Sequence, residues 1–385
     1  MEPTPVTTTE RARRWAATMA GHGDQGVRTA HADSGATLGI DGPVPAHGRE
    51  AREEVEDLVL APGATRAAGG GRRTLPEEPD ALRTCFERDR DRILHSSSFR
   101  RLAGKTQVFI FPADHQRTRL THALEVAQVA TGIARACRLN VALTEAIALG
   151  HDCGHGPGGH MSEDALGVFL PGGFDHAVWG ADVSLSGLNL CDETLDGIRN
   201  HSWSRPAPRT PEGEVVSWAD RIAYVCHDWE DAVSAGIVTP ALLPDVVLRR
   251  CGDTRSSQLG SFIDGMVRAM LQTGRVGMDE DLAEALAAFR SCNYEHVYLR
   301  PASVTQGASV VAVLRALVSH FADHPNRIPD VSGVGGLAGG SDAAVVEAVA
   351  YVAGMTDRFA LGIAVSDLGW DPERLPRGIG TVSGR

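Results

Sequence analysis

The sequence predicts an all-α protein. Helical periodicity runs through most of residues 80–367, and strand-type alternation is scarce. Proline and glycine clusters cut the apolar-periodic stretches into helix-sized pieces. The chain has 385 residues, 43% hydrophobic and 22% charged, an ordinary composition for a soluble globular protein. Its formal net charge of −12 argues against a general binder of nucleic acid or of anionic membranes. An anionic substrate would therefore need local positive charge from arginines or a metal. Seven cysteines without a C-x-x-C pair suit a reduced, cytoplasmic protein with no structural zinc. No apolar leader and no unbroken apolar run of roughly 18 residues occurs, so neither secretion nor a membrane span is expected. Lys105 is the single lysine among 37 basic residues.

Residues 1–48, rich in Thr, Gly, Ala, Pro and His, carry no sustained period and are expected to form a mostly disordered extension. Residues 49–60 have helical character, 61–73 form a Gly/Ala/Arg loop, and 76–79 are a break. Residues 80–97 read as a helix rich in Arg and Asp; 99–111 follow, and 112–117 turn. Residues 120–139 form a long amphipathic helix in which His122, Val126, Val129 and Ile133 share one face. Asn140 ends it, and 141–149 form the next helix. Residues 154–159 hold too many glycines and prolines for a regular helix, and 162–170 resume one with Glu163 and Asp164 in its first turn. Further helices are expected over 188–201, 214–235, 241–250, 259–272, 279–289, 309–322 and 343–367, with a glycine-rich loop at 331–340. There is no internal repeat. One main domain over 49–370 and a tail at 371–385 complete the organisation.

The chemistry is concentrated at H-D-C-G-H-G-P-G-G-H-M-S-E, residues 151–163. A His-Asp pair side by side cannot face an apolar core with both groups. An imidazole nitrogen and a carboxylate oxygen offered together are ligands for a divalent ion. Two further candidates exist. His122 sits on an apolar helix face, where a histidine is commonly a satisfied core residue, but Arg117 and Arg119 just before it point to a site. Asp220 lies inside the apolar run V-V-S-W-A-D-R-I-A-Y-V-C, where a carboxylate is expensive to bury unless paired or on a metal. Tyr224, His227 and Asp228 share its helix face; a buried polar network joining helices is the bland alternative. His122, His151, Asp152 and Asp220 make a set of two nitrogens and two oxygens suited to Mn, Fe, Co, Ni or Zn, with positions left for water and a substrate oxygen. The matching chemistry is metal-assisted hydrolysis of a phosphate ester or anhydride.

The order H…HD…D resembles the HD-domain metal-dependent phosphohydrolases, a helical bundle here with additional C-terminal helices. Longer stretches sharpen the resemblance to the deoxyguanosine-triphosphate triphosphohydrolase-like family. They are R-D-R-D-R-I-L-H-S-S-S-F-R-R-L-A-G-K-T-Q-V-F, T-R-L-T-H-A-L-E-V-A-Q-V-A, H-D-C-G-H-G-P-G-G-H, L-N-L-C-D-E-T-L-D-G-I with the histidine after it, W-A-D-R-I-A-Y-V-C-H-D-W-E-D-A and A-G-M-T-D-R-F-A. The likeness covers residues 49–370.

The resemblance implies hydrolysis of a dNTP to deoxynucleoside and inorganic triphosphate by a homo-oligomer, hexameric or tetrameric. It places a divalent ion (Mn, Mg, Co, Ni, Fe or Zn) on His122, His151, Asp152 and Asp220. It implies catalytic roles for His155, His160 and His176, with Glu163 as an acidic partner; Glu163, three residues after His160, is expected to orient that ring for proton transfer. It places phosphate contacts at Arg119, with Arg221 and Lys105 as further ones. Gln107 and Asp228 fall where the family tests the sugar 3′-hydroxyl, and Tyr224 where a ring packs on the deoxyribose. The sequence also departs from the family. Residues 156–160 lack the usual aromatic, so that loop is expected to be looser. After His176 the usual polar pair is gone, with Ala177-Val178-Trp179 in its place, and the stretch from His176 to Leu188 is shortened. Two alternatives stand beside the main reading: an HD phosphohydrolase acting on a nucleoside monophosphate or guanosine polyphosphate, and a dNTP-binding sensor with little turnover.

Overall fold

The computed structural model describes residues 8–18, 20–23, 26–39, 42, 44–68, 71–109, 116–329 and 336–376. Parts of the expected turn at 112–117 and loop at 331–340 lie outside the described residues. Among those described, helices account for the regular structure and no strand forms, only two isolated bridges, His22 with Thr29 and Thr106 with Thr118. The fold is all-α. The chain divides into Met1–His47 and Gly48–Arg385. The first unit contains α1 (Thr8–Thr18), a helix within the stretch expected to be mostly disordered.

The second unit starts with α2 (Arg49–Val59) and α3 (Cys85–His95). Helix α3 begins five residues after the sequence suggests. Asp80 Oδ1 takes the backbone N–H groups of Leu82 and Arg83 at 2.8 and 2.9 Å, holding a turn instead of a helix there. Thr84 and Glu87 then form a reciprocal capping box. After α4 (Ser97–Arg101) come α5 (Arg119–Ala136) and α6 (Val141–Gly150). Helix α5 ends where Arg138 takes a left-handed φ of 57° and Leu139 N–H reaches back to Ala134 O at 2.8 Å. Asn140 does not end α5; its side chain caps α6 at Leu143 N–H, 3.2 Å away.

Then follow α7 (Met161–Leu166), α8 (His176–Trp179), α9 (Asp192–Asn200) and α10 (Pro211–Ser234). Pro211 opens α10 at the position where its missing N–H costs nothing, under a Thr210 cap. The buried carboxylate of Glu212 ties this end to the start of α6, accepting Asn140 N–H at 2.9 Å and Thr65 N–H and hydroxyl at 3.0 and 2.7 Å. The remaining helices are α11 (Asp245–Cys251), α12 (Arg255–Thr273), α13 (Glu280–Asn293), α14 (Pro301–Asp323), α15 (Asp342–Ala353) and α16 (Asp357–Ser366).

Two apolar clusters result. The larger unites α3, α5, α6, α9, α10, α12 and α13 around Phe86, Ile133, Ile147, Ile222 and Phe289; the smaller joins α7, α14, α15 and α16 around Leu166, Leu314, Phe321 and Val352. Helix α14 is long and apolar enough, by length and composition, to cross a membrane. Its Val310, Val313, Leu314, Leu317, Val318 and Phe321 are instead buried in the smaller cluster, the pattern of a core helix. The mutual packing of α5, α6 and α10 carries the site.

Candidate metal and catalytic site

Three helices deliver the expected ligands to one place. His122 leaves the first turn of α5, His151 closes α6 with Asp152 directly after it, and Asp220 sits midway along α10. Asp220 Oδ1 lies 3.0 Å from His122 Nε2 and 3.7 Å from His151 Nε2; Asp152 Oδ1 is 3.5 Å from His151 Nε2. The donors of His122, His151 and Asp220 all fall within 4.8 Å of one another. His151 Nδ1 donates to Ala148 O at 2.7 Å, which leaves its buried Nε2 as a lone pair with no partner. A buried, unsatisfied imidazole nitrogen between two carboxylates fits a divalent cation. Enclosure works against charge on Asp220, but the His122 hydrogen bond and His151 hold its pKa below the ordinary carboxylate range. Burial likewise opposes charge on Asp152, and Arg119 leads the groups that keep it ionised. Arg119 donates to Asp152 Oδ2 at 2.6 Å, so that Oδ1 alone faces the ligands.

Beside these ligands stands a second histidine group. The rings of His155 and His176 stack at 3.7 Å, and His160 meets them edge-on at 4.9 and 5.7 Å. Gly154 permits this arrangement: a Cβ there would lie 2.0 Å from His176 O and 2.3 Å from Gly180 N. Gly159 is left-handed, with a φ of 63°, and a Cβ would strike the Arg119 guanidinium at 2.7 Å. Glu163 does not orient His160. Its Oε1 accepts from His176 Nδ1 at 2.6 Å and His176 N–H at 3.1 Å, while His160 Nδ1 faces Arg119 at 3.4 Å. His160 is exposed at its outer edge, but desolvation of its ring, then Arg119 and His176, push its pKa down to about 4. Burial and Arg119 also keep His155 well below the ordinary range.

The loop expected to be loose is tied down. Gly158 N–H donates to Asp357 Oδ1 at 2.9 Å, and Gly156 N–H to Ser162 Oγ at 3.0 Å. The ammonium of Lys105, 3% exposed, donates to the carbonyls of His155 and Ala353. Lys105 therefore clamps the loop to the C-terminal helices and does not face the phosphate side; burial pushes its pKa down to about 8. Arg221 lies over the Trp203 ring, 3.5 Å from its centroid.

On the α10 side, Tyr224 OH accepts from Arg290 Nε at 2.7 Å, and Asp228 Oδ2 accepts from Tyr298 OH at 2.6 Å. Asp228 Oδ1 and the Gln107 amide oxygen are buried without partners. Burial pushes Asp228 up to about 7, against the Tyr298 hydrogen bond. His227 turns to Glu125 at 3.0 Å, away from the metal ligands. The sequence reading assigned no role to Arg290 and Tyr298, which carry no local motif, or to Asp357, which lies within A-G-M-T-D-R-F-A. It also assigned no role to His201, whose Nε2 lies 3.2 Å from His176 Nε2. The signal for His201 was its place directly after the helix that packs on α6.

Histidine and aspartate ligands in this order, on the α5–α6–α10 core, define a metal-dependent HD-domain protein. The HD domain family matches residues 119–225, and the phosphohydrolase-associated domain family matches residues 276–364. A deoxyguanosinetriphosphate triphosphohydrolase-like protein of Caldanaerobacter subterraneus subsp. tengcongensis is 41% identical over 320 residues, covering 81% of this chain and 93% of that one. A protein of the same description from Clostridium perfringens is 40% identical, covering 75% and 88%. Another from Roseobacter denitrificans is 33% identical, covering 79% and 96%. The chain belongs to the deoxyguanosinetriphosphate triphosphohydrolase-like family, and it is a nucleotide phosphohydrolase. Among solved structures, a hypothetical protein from Aquifex aeolicus aligns with a TM-score of 0.48 at 18% identity, covering 74% of this chain and 69% of that one.

Proposed function

We propose that the protein hydrolyses deoxynucleoside triphosphates to deoxynucleoside and inorganic triphosphate. The observation that carries this reading is Arg119. Its guanidinium stands between the metal ligand Asp152 and His160, and its buried Nε has no partner. A triphosphate lying along it would meet fixed positive charge in a chain that is acidic overall. A divalent ion held by His122, His151, Asp152 and Asp220 supplies a water of lowered pKa and charge for the phosphoryl oxygens.

The chain's own groups do the rest. Arg119, with Arg221 beyond it, binds and orients the phosphates. The water oxygen bonds to the α-phosphorus, the bond from phosphorus to the 5′-oxygen breaks, and a proton moves to that oxygen. His155, His160 and His176 line the side from which the proton comes. Desolvation of its ring and the Arg119 charge beside it oppose a proton on His160 before substrate binds. Triphosphate beside it offsets the Arg119 charge and raises the ring's pKa, so His160 can then carry a proton to the leaving oxygen. Gln107 and Asp228, with unpartnered buried oxygens, are placed to accept from a sugar 3′-hydroxyl. Tyr224 would pack on the deoxyribose and exclude a 2′-hydroxyl. Assembly as a tetramer or hexamer is part of the proposal and is read by sedimentation.

A panel of dNTPs and NTPs with Mn, Mg, Co, Ni, Fe and Zn tests the reading by chromatography of products. Release of deoxynucleoside with intact triphosphate is the expected result. Release of phosphate or pyrophosphate, or nucleotide that stays intact, would overturn it.

A further inference from the structure

His201 is the buried side chain that this chemistry leaves unused. Its Nδ1 is 2.8 Å from Ile198 O, a group that can only accept, so Nδ1 carries the proton. His176 Nδ1 is 2.6 Å from Glu163 Oε1. The same Oε1 accepts the backbone N–H of His176 at 3.1 Å, so it is an acceptor and His176 Nδ1 is also a donor. With both rings neutral, two Nε2 lone pairs face each other across 3.2 Å inside the protein. Two acceptors at that distance repel unless something electron-poor lies between them.

The geometry suits a metal. Two imidazole nitrogens at roughly 2.1 Å from one ion, at right angles, stand about 3.0 Å apart. Asp152 Oδ1 is 3.9 Å from His176 Nε2. The donors of His151, Asp152 and His201 lie within 4.8 Å of one another, as do those of Asp152, His155 and His176. Asp152 Oδ1, 3.5 Å from His151 Nε2, 3.2 Å from His155 Nε2 and 3.9 Å from His176 Nε2, thus stands between the two histidine groups, and Arg119 holds Oδ2 away from them.

We propose that His176, His201 and Asp152 Oδ1 hold a second divalent transition-metal ion beside the one on His122, His151 and Asp220, with Asp152 bridging the two. This gives His176 a ligand's place in the resting protein and leaves the leaving-group side to His155 and His160. The imidazole-rich set favours Mn, Fe, Co or Zn over Mg. The inference rests on the first metal site as read above and not on the identity of the substrate.

The test uses the full chain stripped of metal, loaded with Mn²⁺, dialysed and measured by plasma mass spectrometry and electron paramagnetic resonance, with no nucleotide present. The wild type is expected to hold about two Mn per chain, as two-metal sites do, and to show the exchange-coupled spectrum of a close pair. His201→Gln is expected to hold about half as much, with the spectrum of an isolated ion. Asp220→Ala is expected to do the same by emptying the other side. A wild type saturating at one isolated ion per chain overturns the proposal, and so does a His201→Gln protein that keeps the coupled pair. The wild-type measurement decides even if His201→Gln does not fold. A single ion together with triphosphate release from dNTPs sinks the second site alone.

Discussion

The two walls of the site are prepared differently. On the metal wall, His122, His151, Asp152 and Asp220 converge from α5, α6 and α10, and His151 Nε2 is buried with nothing to bond. An ion arriving there gains the free His151 Nε2 and takes the place of the His122–Asp220 hydrogen bond. On the opposite wall, Tyr224 and Asp228 are already bonded, to Arg290 and Tyr298. Asp228 Oδ1 stays without a partner, so a hydroxyl that used it would add a bond, while one that used Oδ2 would exchange bonds with a small net gain. The first wall is short of partners, and the second is half satisfied.

That contrast can be broken most forcefully at the metal wall. His151→Ala or Asp220→Ala should empty the ion position between His122, His151 and Asp220 and lower turnover by roughly 10³-fold or more, read by metal analysis and product formation. A variant that kept metal and activity would show that the wall had been misassigned. One step down, His160→Ala should retain its metal while kcat falls by about 10²–10⁴-fold. Loss of metal in that variant would merge two groups kept apart here.

A third change probes what holds the walls in place. Asp357 is buried and accepts from Thr106 N–H, the Thr106 hydroxyl and Gly158 N–H. Asp357→Ala should cost about 2–4 kcal/mol in urea unfolding, since it leaves several buried donors unmatched. A neutral result would mean that the loop does not need its anchor.

The sugar-facing wall gives smaller effects. Burial raises Asp228 from the ordinary 3.8 to about 7, so the folded state binds its proton more tightly than the unfolded chain does. Its contribution to stability is complete below about pH 4 and fades as pH rises through about 7. Asp228→Asn should flatten the fall of Tm between pH 5 and 8, and an unchanged slope would assign that fall elsewhere. Tyr298→Phe removes the internal competitor for Asp228, so KM for a dNTP should drop about fivefold, the equivalent of one hydrogen bond near 1 kcal/mol. A rise in KM would instead make Tyr298 a direct substrate contact.

The residues proposed as metal ligands could be read from the sequence because they sit in short motifs, and the structure brings His122, His151 and Asp220 within 4.8 Å of one another. The sequence displayed most of the helices because their apolar period is local. It lost what depends on distant partners. Glu163 pairs with His176, thirteen residues on, because the chain turns back after Gly173 and brings that ring within 2.6 Å. Arg290 and Tyr298 reach the site from the end of α13 and the turn after it, where no motif marks them. The helix expected over 343–367 is two helices, split after Ala353. Its freed carbonyls have takers: Lys105 binds Ala353 O at 3.0 Å and Arg101 binds Gly354 O at 3.1 Å. Helix α14 starts eight residues early because Pro301 is a good first residue, a signal present in the sequence and passed over.

The clamp at Lys105 has a practical corollary. It is the sole lysine of 385 residues, and folding hides its amine. Amine-reactive dyes should therefore spare the native interior, and an endoprotease that cuts after lysine should have one bond to attack, open to it only when the loop and the C-terminal helices part. The chain carries its own reporter of that separation, readable on a gel as the appearance of two fragments.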